Sequence, residues 1–257
     1  MFLFFSFLGF IVFFYFVVDK NLAKGNHIDK SEVKNHITFY NKTFHFFNLL
    51  NEKEKRKFVK RVIQIRKRKH FKISPEINTD YKEVELLVCA AFAQITFGFR
   101  DYHLDSFEGI IILPGAFYSR LAENNVKGLT VGSGFIYFSW EDFVKGYIHD
   151  EDKINLAIHE MAHALYIDRF HITQNFKWFN WERTANAVFK EIREELNHIY
   201  FRKYALHNIN EFWAVCIEYF FEDPVNFELE YIELYEATAS LLNQDMSRRK
   251  AIFENPK

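Results

Sequence analysis

The stretch Asn155–Leu165, reading NLAIHEMAHAL, sets terms that the rest of the chain must meet. Apart from its leading asparagine it is apolar, yet it carries three ionisable side chains, His159, Glu160 and His163. Its uncharged flanks, and the acidic run Asp150-Glu151-Asp152 before it, predict a buried helix with an acidic approach to its first turn. Three ionisable groups on such a helix are costly unless a ligand satisfies them. Histidines four positions apart project from one helix face and can hold one metal ion between them. One zinc ion suits imidazole nitrogen, at about 2.0–2.1 Å. Glu160, beside the first histidine, reaches a water at the metal rather than the metal itself, which is the place of a general base.

A catalytic zinc needs a third protein ligand and one open position. The extended motif with a glycine at position 166 and a histidine at 169 is excluded, because Tyr166 and Arg169 stand there. His171, His198 and His207 lie in no recognisable frame. Glu211, opening the helical run NEFWAVCIEYFFEDP, is the better candidate, an acidic ligand from a second helix. Glu218, two turns further along the same face, competes with it. A closed structural zinc site usually draws on cysteine, and neither Cys89 nor Cys216 is near the motif.

The remaining composition divides the chain. Of 32 phenylalanines in 257 residues, eight fall within the first 18, where MFLFFSFLGFIVFFYFVV contains no charge. As a helix that run spans about 27 Å, enough for a thin hydrocarbon core. It has no basic residue before it and no small-residue cleavage site, so it reads as an uncleaved single-pass transmembrane anchor rather than a signal peptide. Lys20, Lys24, Lys30 and Lys34 follow it, and the positive-inside bias then leaves the body facing the cytoplasm. The expected organisation is an anchor over 1–18, a juxtamembrane linker over 19–39 and one domain over 40–257. A net charge of -1 argues against a nucleic-acid partner.

Within the body, residues 35–71 read as a basic amphipathic helix whose charges form a solvated face, with attraction to anionic lipid as the functional alternative. Tyr81–Phe99 reads as an apolar helix in which Cys89 is an inert core thiol. Gly109–Leu113 has the pattern of a buried strand, Thr130-Val131 and Gly134–Phe138 flank a Gly-Ser turn, and everything beyond Ser139 reads as helices. The Gly134–Phe138 stretch is a candidate edge strand for pairing with an extended peptide. The fold class expected is α+β, mostly helical with a small sheet.

Several pieces in this order resemble the zinc peptidase family typified by Mlc titration factor A. They are KRKHF, ITFGF, IIILPGAF, GFIYFSWEDF with Gly146 and Tyr147, HEMAHAL, and NEFWAVCIEYFFEDPVNFE followed by LY and QD. The resemblance covers roughly residues 40 to 245 and implies a zincin-like metallopeptidase. Carried onto this sequence, it makes His159, His163 and Glu211 the zinc ligands and Glu160 the base. Tyr204, seven residues before Glu211, becomes a phenol that steadies the oxyanion. It implies a peptide or protein substrate, with aminopeptidase action among the possibilities, and the alternative of a regulator that sequesters a transcriptional repressor. The pattern departs after the second histidine, where Ala164-Leu165-Tyr166 lacks the acidic residue that would orient an imidazole. Asp168 and Glu182 are candidate substitutes. Glu182, Glu218 and Glu222 are candidates for holding a substrate's amino terminus.

Overall fold

A computed structural model describes residues 29–132, 134–149, 152–170, 176–194 and 200–254. The expected anchor over 1–18 lies outside them. Among the described residues no helix is long and apolar enough to cross a membrane.

Helix α1 (Lys30–Thr43) starts on an Asp29 cap, runs through the expected linker boundary and buries His36 and Tyr40. A single turn, α2 (His45–Asn48), leads to α3 (Glu52–Arg68), which opens on a capping box between Asn51 and Glu54. Its apolar face, Phe58, Val59, Val62, Ile63 and Ile65, packs against α4 (Tyr81–Ile95) beyond strand β1 (His70–Ile73). The basic residues of α3 do not all face water. Arg61 is buried and donates to the carbonyls of Thr96 and Phe97 at 3.0 and 2.8 Å. Its guanidinium closes the C-terminal end of α4, where carbonyls lack helical partners and carry the negative end of the dipole. The apolar helix ends at Ile95, four residues short of the stretch that periodicity suggests. Lys69 is buried too, its ammonium held by the Leu104 carbonyl at 2.9 Å and by that of Phe107.

Strand β2 (Gly109–Leu113) follows, then a hairpin of β3 (Phe117–Ser119) and β4 (Asn124–Val126), then β5 (Gly128–Val131) and β6 (Phe135–Ser139). The main sheet has the order β1-β2-β6-β5. The first three strands are parallel and β5 is antiparallel to β6. This corrects the edge-strand expectation. Phe135–Ser139 pairs on both sides and lies inside the sheet, whereas Gly128–Val131 is the edge. The physical reason is that β6 also takes β2 as a parallel partner on its other side, so the turn at Gly134, with φ of +95°, leaves β5 as the outermost strand.

The chain is helical from here on. Helix α5 (Trp140–Ile148) is capped by Ser139, α6 (Leu156–Leu165) carries the motif and continues into one π turn (Tyr166–Phe170), and α7 (Phe176–Glu194) returns across the body. A 3-10 turn (Lys203–Leu206) precedes α8 (Ile209–Glu222), and α9 (Pro224–Glu230), α10 (Ile232–Leu242) and α11 (Met246–Glu254) complete the body. The result is α+β and mostly helical, as expected. Helix α6 lies at the centre, packed against β5, β6, α4 and α8. Trp213 on α8 locks that packing, because its indole N–H donates to the Ala162 carbonyl at 2.8 Å while its ring meets Trp181 edge-on. Cys89 and Cys216 are free, buried thiols whose pKa burial pushes up.

Candidate metal centre

The motif helix starts where it does because of Asn155. Its side-chain oxygen accepts from the Ile158 N–H at 3.1 Å, and its amide donates to the Gly146 carbonyl at 2.8 Å. A Cβ on Gly146 would stand 3.0 Å from the Asn155 Cα, so glycine permits α5 and α6 to approach this closely. From that start, His159 and His163 fall on one face, their Nε2 atoms 3.2 Å apart. Helix α8 delivers Glu211 in its own first turn, where the Asn208 side chain accepts from the Glu211 N–H at 3.0 Å. Glu211 Oε2 lies 3.0 Å from His159 Nε2 and 3.6 Å from His163 Nε2.

These three residues form a group whose donor atoms all lie within 4.8 Å of one another. Ligands about 2.0–2.1 Å from a tetrahedral ion stand about 3.3 Å apart, and the three separations bracket that value. Two imidazole nitrogens and a carboxylate oxygen, already converged to coordination spacing, fit a divalent metal ion.

The imidazole of His159 is held from behind by Glu218. Nδ1 meets Glu218 Oε1 at 2.7 Å, and the buried carboxylate, 1% exposed, also accepts from the Asn155 backbone N–H at 2.7 Å. Arg202 donates to both of its oxygens and to the Lys153 carbonyl. One carboxylate thus orients the ring, fixes the start of the motif helix and is itself neutralised. The acidic partner missing after His163 is supplied here by Glu218, which is therefore not the third ligand. Asp168 instead accepts from the Ser106 N–H at 2.8 Å and pairs with Arg169, and Glu182 is exposed on α7. His207 lies tilted against Tyr204, ring centroids 4.9 Å apart, and does not join the donor group, and His171 and His198 lie outside the described residues.

The electrostatics follow from burial and these pairs. Burial alone would depress His159, but hydrogen bonds to Glu211 and Glu218 outweigh it, and the ring is raised to about 10. Burial raises Glu211, while the two imidazoles more than offset this and hold it far below the usual carboxylate range. Glu160 is nearly enclosed, and burial lifts its carboxyl above the ordinary value against the opposing pull of His159 and His163. Tyr204 stands in the 3-10 turn before α8, 44% exposed, its ring centroid 5.7 Å from that of His159. Burial and the charges of Glu211 and Glu160 push its phenol up to about 12, so it keeps its proton at neutral pH.

A cleft of about 650 Å³ opens over this group. Its lining includes Lys127 and Gly128, Lys145 and His149, and, from the candidate centre, His159, Glu160 and Tyr204. Of the carboxylates considered for holding an amino terminus, Glu218 borders the cleft but is engaged, Glu222 lines a separate small cavity, and Glu182 borders neither.

The model of the family described as glucose-regulated metallo-peptidase M90 matches residues 21–242. The chain belongs to that family. Curated relatives agree. Mlc titration factor A of Pectobacterium atrosepticum is 25% identical over 174 residues, covering 59% of this chain and 65% of that protein. The protein of the same name from Yersinia pestis is 24% identical over 229 residues, covering 80% and 83%. Membership in the M90 family implies a bound metal ion, and the His-His-Glu group fits one.

Sequence reasoning named all four residues that the fold gathers on α6 and α8, but read Glu218 as a rival ligand and left out the other residues that hold the group. Arg202, Asn155 and Trp213 carry no motif signal. Glu218 did carry one, since seven residues on a helix return it to the face of Glu211.

Proposed function

We propose that this M90-family chain is a zinc-dependent peptidase tethered to a membrane by residues 1–18, with its body facing the cytoplasm. The observation that supports it best is the convergence of His159, His163 and Glu211 beside a buried Glu160 that stands outside that donor group. Zinc, when bound by those three, supplies Lewis acidity that polarises a carbonyl oxygen and lowers the pKa of a water to about 7.

The other parts belong to the chain. Glu160, its affinity for protons raised by burial, accepts one from the attacking water as hydroxide adds to the carbonyl carbon. It then returns that proton to the amine as the carbon–nitrogen bond breaks. Tyr204, protonated at neutral pH, donates a hydrogen bond to the oxyanion. Glu218 keeps the His159 ring from turning, and Arg202 balances the charge of Glu218. The outer edge of β5, which faces no other strand among the described residues, offers backbone groups to an extended substrate along the cleft.

Purified full-length chain in detergent is expected to carry about one zinc and to cleave members of a peptide library read by mass spectrometry. Glu160→Gln keeps the metal and loses cleavage; retained cleavage refutes the mechanism. The relatives' name describes titration of a protein, Mlc, and supports a second reading in which this chain sequesters a regulatory protein. Metal binding with no cleavage of any peptide favours it.

A further inference from the structure

Strand β5 does more than border the cleft. Gly128 and Thr130 are two positions apart on it and face the same way, toward α6. The Thr130 hydroxyl lies 2.7 Å from Glu160 Oε2 and 3.0 Å from the Glu160 backbone carbonyl. One hydroxyl therefore touches both the tip and the root of the same side chain. At Gly128, an added Cβ would fall 2.4 Å from Glu160 Oε1 and 2.7 Å from both Cδ and Cγ. Since Cγ is included, turning the terminal carboxylate would not relieve the clash. The whole arm would have to leave.

We infer that Thr130 and Gly128 are positioning residues for Glu160, the hydroxyl fastening its carboxylate and the glycine leaving the space its arm occupies. The inference rests on the proposed role of Glu160 as base, and adds that the edge strand, not the motif helix alone, sets where that base stands. A glutamate arm has three torsions and several staggered arrangements. Burial by itself does not choose among them, whereas a contact at each end and a wall without a Cβ do. If Thr130 were only packing against the helix, valine, of nearly the same shape, would serve equally well.

The test compares Thr130→Val, Thr130→Ser and Gly128→Ala with wild type, all as the full metal-loaded chain. A base displaced by about 1 Å costs on the order of 100-fold in rate. Thr130→Val is therefore expected to lower kcat by about 10- to 100-fold with KM and zinc content unchanged. Thr130→Ser, which keeps the hydroxyl, restores kcat to within about threefold. Crystal structures of the valine and alanine variants should show the Glu160 carboxylate moved from its wild-type place. Wild-type turnover by Thr130→Val, or an unmoved carboxylate in both structures, overturns the inference. If wild type cleaves nothing, the proposed function fails, and the carboxylate positions in the variant structures still decide this point.

Discussion

Replacing Glu218 by glutamine tests the arrangement behind the candidate metal centre, because it preserves shape and removes charge. The wild-type carboxylate accepts from His159 Nδ1, the Asn155 N–H and two guanidinium nitrogens of Arg202. An amide has one oxygen. Whichever way it turns, its NH2 group confronts either the Asn155 N–H or the His159 ring, donor against donor. A buried donor left unmade costs about 1–3 kcal/mol, and breaking a fully buried ion pair costs about 3–5 kcal/mol. The Arg202 side chain is 23% exposed, so water recovers part of the second sum. We expect a net loss of about 2–4 kcal/mol, and at about 2–4 °C per kcal/mol for a body of this size, Tm of the metal-free protein falls by about 4–16 °C.

The same substitution acts on the metal. Loss of the partner that orients a ligating histidine typically weakens binding by about 10- to 100-fold, or about 1.4–2.8 kcal/mol. Competition against a chelator of known affinity measures this, and differential scanning calorimetry measures the first effect. Arg202→Met serves as the control. It should lower Tm while leaving the carboxylate on His159, so zinc affinity changes by less than about threefold. A Glu218→Gln protein that binds zinc as tightly as wild type would mean that Glu218 does not orient a metal ligand, whatever happens to its stability.

Three further outcomes follow. In the metal-free protein His159, raised to about 10, is protonated at neutral pH and its two carboxylate partners stabilise that charge; the contribution is complete below about pH 6.5, the unfolded value, and disappears as pH rises through 10. A metal must displace this proton, so affinity climbs by about tenfold per pH unit between those limits, and calorimetry in buffers of different ionisation enthalpy should find about one proton released per zinc. Tyr204→Phe should reduce kcat by about 10- to 100-fold with KM and metal content retained, and an unchanged kcat in steady-state assays would remove the phenol from the reaction. Arg61→Met strips donors from the carbonyls that end α4, and should cost about 2–4 kcal/mol, seen in urea unfolding as a lower midpoint at constant slope.

The candidate site was legible because its pieces are local. Two histidines and a glutamate on an apolar run can be read from helical periodicity alone, and so can an acidic residue opening the next apolar helix. Gly109–Leu113 was equally plain, since a strand covered on both faces needs no alternation. Arg61 was misread because a helix pattern records which faces are charged but not whether a neighbouring helix ends against one of them. Gly134–Phe138 was misplaced at the edge because its own residues record nothing of the parallel pairing with β2, which lies more than 20 residues earlier in the chain.

What the sequence determined by itself is where the candidate donors stand on their helices, His159, Glu160 and His163 on one and Glu211 or Glu218 on another, because each position depends on spacing within one element. The tertiary structure decided what those donors lean on. Glu218 reaches across 59 residues of sequence to His159, Thr130 across 30 to Glu160, and Trp213 across 51 to the Ala162 carbonyl. Such contacts leave no periodic trace. They exist only after hydrophobic burial has pressed α8 and β5 against α6, where polar groups shut off from water need partners.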